Sequence, residues 1–415
     1  MNDVAFSKHI YSLDNINHLS CSDILYYFYQ SAVINLLPIA LWSLPRSKNK
    51  HALVNFSSEI SPVKLDFSKN TSGFAFSPFR NDTGNSTIFI KSGILLNCSE
   101  KVFYEEDSAS YSDNELSKRA KFIKTFNNLI NNPEEINHIK WLFSDKDVPV
   151  IYTQDEYCNL VNIAVKQIKS SKIKKIVTSR AQSIELPKGF NPVKTFDDLS
   201  AKYPDAFVSL VSIPGVGTWL GASPETLLKF NNTGITTMAL AGTQPKIDNV
   251  SPHDVKWTPK EIEEQTLVAK YIRDCFKSLG EYEFEEKIPK TIAAGNVVHL
   301  QSLFKQEMEL EKTRRFATRL LSLLHPTPAI CGLPKNEALS FILEHELHNR
   351  EFYSGFLGPV NINNESALFV NLRCMQLREK TATLYVGGGL TADSIPEKEW
   401  NETVLKAETL LSLLK

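Results

Sequence analysis

Two segments with helical spacing carry pairs of carboxylates that could hold a divalent cation. Glu261 and Glu264 form one pair, three residues apart. Glu399 and Glu402 form the other, with Lys406 four residues further on. Side chains at this spacing share one face of a helix, and carboxylate oxygens are the ligands that Mg²⁺ prefers. On spacing alone, a capping-box role for Glu261 and solvated helix charges for the others explain the pattern more simply.

Two further charged residues lie at the ends of predicted strands. Lys175 opens the apolar run KIVTSR, and Glu225 ends the segment GASPE. A lysine in a partly apolar site can lose its proton and serve as a base. A carboxyl group with a raised pKa can serve as an acid. Each residue alone fits an ordinary surface charge equally well, so the pair needs further context.

Several other motifs are set aside. The runs Gly215–Gly217 and Gly387–Gly389 lack the strand-to-helix context of a dinucleotide site. We expect the first to form a turn and the second to let a ligand approach the backbone closely. The segment 345–348 (HELH) has the wrong spacing for a zinc-binding HExxH motif and is predicted to be helix surface. Ser223 lacks the GxSxG context, which excludes a serine hydrolase.

The elements that must position these residues are strands in hairpins, each group followed by long helices. This order predicts an α+β architecture with antiparallel sheets. Helices are predicted over 116–130, 155–170, from 258 onward, and over 336–349 and 396–414. Strands are predicted over 175–180, 207–211, 218–222, 226–230, 236–240, 368–372 and 383–386.

The composition is that of a globular protein with a large core. Among 415 residues, 46 are Lys or Arg and 47 are Asp or Glu, for a net charge of -1, which argues against nucleic-acid binding. Six scattered cysteines without a CxxC pair are typical of a reducing compartment. The N-terminus shows no signal pattern, and the apolar stretch 32–44 is too short to span a bilayer. We therefore expect a cytoplasmic protein without membrane or nucleic-acid partners.

Nine segments, in the same order, resemble motifs of the chorismate-utilising enzymes, which include anthranilate synthase component I. The resemblance covers about residues 150–415. We therefore expect a single chorismate-binding domain over 1–415, with a diverged part over 1–150 and a motif-bearing catalytic part over 151–415. The family has two antiparallel sheets packed face to face and flanked by helices, the aminodeoxychorismate synthase fold. The segments are KIVTSR (175–180), GASPETLLKF (221–230), ALAGTQ (239–244), KEIEEQTLVAKYI (260–272), HPTPAICGLP (325–334), REFYSG (350–355), NLRC (371–374), YVGGGL (385–390) and PEKEWNETVLKAE (396–408).

The resemblance implies catalytic and substrate-binding roles. Lys175 falls on the general base that activates water for attack at ring carbon C2 of chorismate. Glu225 falls on the general acid that protonates the departing C4 hydroxyl. Chorismate is a dianion, so a nearly neutral protein needs local cations to bind it, and arginine offers a planar fork matched to a carboxylate. The positions implied to contact the substrate are Gly242, Thr243, Ala329, Tyr353, Arg373, Gly387 and Lys406.

The resemblance also implies a metal site. Glu264 and Glu402 fall on the ligands of a Mg²⁺ ion that binds the ring carboxylate of the substrate. Glu261 and Glu399 fall on neighbouring positions that act through water. This context favours the metal interpretation of the two carboxylate pairs over the capping and surface interpretations.

Two positions indicate the nucleophile. Members of the family that use ammonia usually carry glutamine at the position of Lys175, and aminodeoxychorismate enzymes tend to carry lysine at the position of Ala241. The resemblance therefore implies water as nucleophile and isochorismate as product, for menaquinone synthesis or, as a second possibility, for siderophores. A salicylate synthase that also eliminates pyruvate stays open, with Thr327 and Ala329 as the positions to compare. A non-catalytic chorismate-binding paralogue also stays open. We expect a monomer.

Overall fold

The structure is a computed structural model, which describes residue 16 and residues 18–57, 61–80, 86–105, 111–133, 139–247, 250–295 and 297–414. The first 15 residues, for which no signal pattern is predicted, lie outside the described part. Within these ranges, no helix combines the length and the apolar character needed to cross a membrane.

The secondary structure follows the chain from a helix into alternating hairpins and helices. The helices are α1 (Cys21–Ile34), α2 (Asp113–Asn131), α3 (Gln154–Ser170), α4 (Pro192–Lys202), α5 (Pro259–Ser278), α6 (Leu310–Leu324), α7 (Lys335–His345) and α8 (Pro396–Leu411). The strands before α4 are β1 (Ile39–Ser43), β2 (Lys50–Val54), β3 (Gly73–Ser77), β4 (Ile88–Lys91), β5 (Ile94–Asn97), β6 (Val102–Glu105) and β7 (Lys175–Glu185). The strands between α4 and α6 are β8 (Phe207–Ile213), β9 (Gly217–Ser223), β10 (Thr226–Asn231), β11 (Gly234–Pro245), β12 (Glu285–Glu286), β13 (Lys290–Ala294) and β14 (Val297–Glu307). The remaining strands are β15 (Gly332–Leu333), β16 (Phe356–Val360), β17 (Ser366–Val370), β18 (Cys374–Leu377) and β19 (Thr381–Leu390).

These strands form two sheets in which every pairing between named strands is antiparallel. The first sheet has the order β15-β7-β19-β18-β9-β8-β1-β2-β5-β6. The second has the order β12-β14-β11-β10-β17-β16-β3-β4, and β13 pairs with β14. Strands from the first 150 residues thus occur in both sheets.

The sheets pack face to face through an aromatic core. Phe207 of the first sheet stacks on Phe369 of the second, with ring centroids 4.1 Å apart. Trp42 of the first sheet contacts Phe74 of the second in a tilted arrangement, with ring centroids 5.4 Å apart. Because helices cover the outer faces of both sheets, strands such as β8 and β9 are buried along their whole length. This explains why their sequences are continuous apolar or small-residue runs rather than alternating ones.

The architecture confirms the predicted α+β fold of two packed antiparallel sheets flanked by helices. The helix predicted over 155–170 is α3, whose N-cap Thr153 forms a capping box with Glu156. The predicted strand 175–180 extends five residues further, to Glu185. Gly215, with φ of +75°, lies in the turn between β8 and β9, as expected.

The prediction of helix surface at 345–348 is wrong. Helix α7 ends at His345, and the side chains of Glu346 and His348 are buried. Glu346 Oε1 accepts a hydrogen bond from Arg350 Nη2 at 2.6 Å and another from the Ser179 backbone at 2.7 Å. Because Arg350 is itself buried, it requires a carboxylate partner, and Glu346 supplies it.

Candidate active site

A polar cleft opens between β7 and β19 of the first sheet and β11 and β14 of the second, and its empty space, including the open mouth, is about 650 Å³. Helices α5 and α8 and four loops complete its walls. The lining brings together eight of the predicted site residues, which are Glu225, Thr243, Glu264, Ala329, Tyr353, Arg373, Gly387 and Lys406.

Lys175 lies at the start of β7 with a fully buried side chain. Its Nζ donates a hydrogen bond to Glu264 Oε1 at 2.8 Å, which compensates the burial of both charges. Gly389 of β19 passes beside this pair. A β-carbon at Gly389 would lie 2.5 Å from Glu264 Oε1 and 2.7 Å from Lys175 Cε. The glycine therefore makes room for the predicted base and its partner.

Glu225 lies in the link between β9 and β10, where its backbone is fixed on both sides. Its carbonyl oxygen accepts a hydrogen bond from Val370 N at 3.0 Å, and its N–H donates to Ser223 Oγ at 3.3 Å. Burial raises the pKa of Glu225 to about 8, although the charges of Lys175 and Lys406 oppose this shift. The carboxyl group therefore holds its proton at neutral pH, as a general acid must.

Two more carboxylates meet lysines beside β19. Lys260 Nζ donates to Glu399 Oε1 at 2.8 Å, and Lys406 Nζ donates to Glu402 Oε1 at 2.6 Å. A β-carbon at Gly388 would lie 3.5 Å from Glu402 Oε1 and 3.6 Å from Glu399 Oε2. Three carboxylates, including Glu264, thus converge on the glycine run, and each is neutralised by one lysine.

The donor set suits a hard divalent cation. Within the described ranges, no group of three His, Cys, Asp or Glu side chains is arranged to coordinate a metal ion. The three carboxylates form ion pairs with lysines instead. However, Glu399 Oε2 is buried and has no hydrogen-bond partner among the described residues. Burial, and then the charge of Glu402, raise the pKa of Glu399. A cation would relieve both the repulsion and the unpartnered oxygen.

Glu261 differs from the other three carboxylates. Its Oε2 accepts a hydrogen bond from Thr258 N at 2.9 Å and another from Thr258 Oγ1, so it caps α5. The structure thus places this side chain in the capping box that the spacing also allowed. Glu261 packs closely against Gly242, because a β-carbon at Gly242 would lie 3.1 Å from Glu261 Cβ and 3.2 Å from the carbonyl oxygen of Glu261.

Arg373 lies in the loop between β17 and β18, in the left-handed region with φ of +49°. Its Nη1 donates to the carbonyl oxygen of Lys406 and to Thr409 Oγ1, both at 3.3 Å. In the described part of the chain it forms no ion pair, and burial lowers its pKa to about 10. A charged guanidinium without a carboxylate partner suits the capture of a substrate carboxylate. Tyr353 and Gly387 lie next to each other in the same wall.

His299 of β14 also lines the cleft and was not predicted from the sequence. Its Nδ1 lies 3.0 Å from the carbonyl oxygen of Gly242 and 3.3 Å from Thr243 Oγ1. A single histidine in an apolar strand gives no sequence signal, so only the pairing of β14 with β11 brings it to the site. Gly242 itself, with φ of +72°, lies at a register shift in that pairing.

The two-sheet fold with its polar cleft indicates a class of enzymes. Comparison of the sequence with models of protein families identifies that class. The family model described as chorismate binding enzyme matches residues 60–415. This match covers most of the chain. The chain therefore belongs to the chorismate-binding enzymes, as the motifs predict.

Curated relatives and solved structures agree with this membership. Isochorismate synthase EntC of Escherichia coli K12 is 28% identical over 265 residues, which are 63% of this chain and 67% of that protein. Isochorismate synthase DhbC of Bacillus subtilis is 28% identical over 269 residues, 62% of this chain and 67% of that protein. The menaquinone-specific isochorismate synthase MenF of Escherichia coli superposes with a TM-score of 0.72 at 19% identity, covering 94% of this chain and 91% of MenF. Anthranilate synthase component I of Streptococcus pneumoniae gives 0.59 at 20% identity, covering 85% and 82%.

Proposed function

We propose that the protein is an isochorismate synthase, which converts chorismate to isochorismate with Mg²⁺ as cofactor. The observation that carries this proposal is a cleft that is lined by Glu225, with its raised pKa, and by Glu264, whose carboxylate pairs with the buried Lys175. An amine and a carboxylic acid in one site suit a reaction in which one hydroxyl enters a ring and another leaves. The names of the relatives EntC and DhbC support the same reaction.

The reaction would need one proton taken up and one delivered. The amine of Lys175 removes a proton from water as its oxygen bonds to C2, both ring double bonds shift (C1=C2 to C1=C6 and C5=C6 to C4=C5), and the C4–O bond breaks. Glu225 delivers its proton to the departing hydroxyl, which leaves as water. Each proton transfer contributes about 10²–10⁴ in rate.

The anionic groups of chorismate meet the cations of the cleft in this proposal. Arg373 and Tyr353 bind the enolpyruvyl carboxylate, assisted by Lys406 and the backbone of Gly387. Glu264 and Glu402 would hold Mg²⁺, with Glu399 beside them, and the ion would supply positive charge to the ring carboxylate. Gly242 and Thr243 line the ring pocket, and Ala329 is a further substrate-contact position.

Water rather than ammonia is the nucleophile in this proposal, because Lys175 stands where ammonia-using members carry glutamine. The presence of Ala241 in the cleft wall agrees with this choice. Isochorismate serves both menaquinone and catechol siderophores, and the similar proteins include one named as a vibriobactin-specific and one named as a menaquinone-specific isochorismate synthase. The menaquinone assignment stays a prediction from the sequence.

The direct test is to incubate the protein with chorismate and Mg²⁺, separate the products by chromatography and assay pyruvate separately. We expect isochorismate without pyruvate. Salicylate with an equal amount of pyruvate would instead identify a salicylate synthase. Bound chorismate without any product would identify a non-catalytic paralogue.

The role of the base is tested by Lys175→Gln, which keeps a hydrogen-bond donor for Glu264 but removes the amine. We expect turnover to fall by about 10²–10⁴ while chorismate still raises the thermal midpoint of the variant. Lys174→Gln is the matched control, since Lys174 is exposed and adjacent. Loss of binding together with turnover would mean that Lys175 has a structural role.

A further inference from the structure

The three lysines that neutralise the carboxylates of the site differ in their relation to the cleft. Lys406 lines the cleft, and Lys175 pairs with the cleft-lining Glu264. Both already have roles in the proposed reaction. Lys260 is not among the lining residues, and the proposed reaction gives it no task.

Lys260 nevertheless contacts one member of the carboxylate group directly. It lies in the first turn of α5, and its partner Glu399 lies in the first turn of α8, so the 2.8 Å ion pair joins the two helices that supply the carboxylates. The side chain of Lys260 is one-third exposed, whereas that of Glu399 is buried. Lys260 occupies one oxygen of Glu399, while the other oxygen, Oε2, has no hydrogen-bond partner in the described structure and faces Gly388.

A cation fixed beside metal-binding carboxylates weakens metal binding in two ways. It repels the incoming ion, and it competes for the carboxylate oxygen. The repulsion acts over several ångströms and is screened only partly in a half-buried site. An ion that binds near Glu399 must therefore act against the charge of Lys260.

We propose that Lys260 is a built-in competitor that sets the metal affinity of the site. It balances the charge of Glu399 when no metal is bound, and it keeps bound Mg²⁺ weak enough to exchange. This inference rests on the metal requirement in the proposed function. It assigns to Lys260 a role in affinity and not in the chemical step.

The test is a direct metal titration without substrate, by calorimetry with Mg²⁺ and by the free Mn²⁺ signal in electron paramagnetic resonance. We expect Lys260→Met and Lys260→Gln to bind either ion roughly tenfold more tightly than the wild-type protein, the factor expected for removal of one like charge nearby. The thermal midpoint of these variants should fall without metal, because Glu399 loses its partner, and should rise more on addition of Mg²⁺.

Two matched variants serve as controls. Lys260→Arg keeps the charge and the ion pair, so its metal affinity should equal that of the wild type. Lys398→Met removes an exposed lysine of α8 next to Glu399 in sequence, and it should also leave the affinity unchanged. Equal tightening in Lys398→Met would show a general effect of net charge and would overturn the proposal.

The outcomes separate this inference from the function on which it rests. Metal affinity in both neutral Lys260 variants equal to or weaker than in the wild type would overturn the role of Lys260 alone. If the wild-type protein and all variants bind neither ion at millimolar concentration, the metal requirement and the role of Lys260 both fail.

Discussion

The imidazole of His299 lies against the guanidinium of Arg373, with Nε2 3.5 Å from Nη2. On its other side, Nδ1 faces the carbonyl oxygen of Gly242 and therefore carries the ring proton, which leaves Nε2 as an acceptor toward the guanidinium. Burial, and then the charges of Arg373 and Lys406, lower the pKa of His299 to about 3. The neutral ring thus ties the orientation of Arg373 to the backbone of β11.

From this contact we predict that His299→Ala affects substrate binding more than the chemical step. Without the ring, Arg373 loses one of its fixed contacts, and KM for chorismate should rise about tenfold while kcat changes less. His299→Gln, which retains a polar side chain, should recover part of the loss. Steady-state kinetics of both variants checks this, and a loss confined to kcat would contradict a positioning role.

Ionisation of Glu225 should lower kcat at alkaline pH. Because its pKa is raised to about 8, the acid is protonated at neutral pH and ionises as the pH rises further. We expect kcat to fall above about pH 8. Glu225→Gln keeps the shape of the side chain but cannot release a proton, so kcat should fall by about 10²–10⁴. The remaining kcat of this variant should no longer decrease above pH 8. A pH profile of both proteins is the measurement.

The same carboxyl group makes stability depend on pH. Its folded-state pKa of about 8 lies above its ordinary value of 4.5, so the folded protein binds the extra proton between these two values. The resulting stabilisation is complete below about pH 4.5 and is lost as the pH rises toward 8. The wild type should lose this stabilisation between pH 5 and 8, whereas Glu225→Gln should not. We therefore expect the thermal midpoint of the variant minus that of the wild type to increase over this range. A constant difference over this range would mean that Glu225 is ionised throughout.

Gly388 and Gly389 form a matched pair of neighbours in β19. A β-carbon at Gly389 would collide with Glu264 Oε1 at 2.5 Å and with Lys175 Cε at 2.7 Å, whereas the nearest atom to one at Gly388 is 3.5 Å away. Gly389→Ala should therefore displace the base and its partner and reduce kcat at least about 10²-fold. Gly388→Ala should retain most of the stability and more of the activity. Equal losses in the two variants would argue against the steric cause.

The sequence predicts the larger part of this fold because its elements have local signals. Helix α3 has a capping box and a helical period, and β8 and β9 flank a turn with Gly215. The order of strands within the two sheets depends on contacts between distant segments. It was accessible only through the resemblance to the family, whose fold the comparison with MenF confirms.

The site was predictable where motifs carry it and not where single side chains do. The ion pair of Lys260 with Glu399 joins residues 139 positions apart, and no pattern near either residue indicates the other. Glu261 illustrates a different limit, since capping and metal binding demand the same residue type at the same spacing. In the folded protein its carboxylate faces Thr258, and the sequence alone does not distinguish this from metal binding.

Removal of the metal gives the last prediction. Since the three carboxylates that converge on β19 are already neutralised by lysines, the protein should remain folded in EDTA, with only a small fall in thermal midpoint. Turnover should disappear, because the ring carboxylate of the substrate would lack its counter-charge, and Mg²⁺ in excess of the chelator should restore it. Glu264→Gln should not be restored by Mg²⁺, whereas Glu263→Gln, an exposed neighbour, should behave as the wild type. Undiminished turnover in EDTA would contradict the assignment of Glu264 and Glu402 as metal ligands.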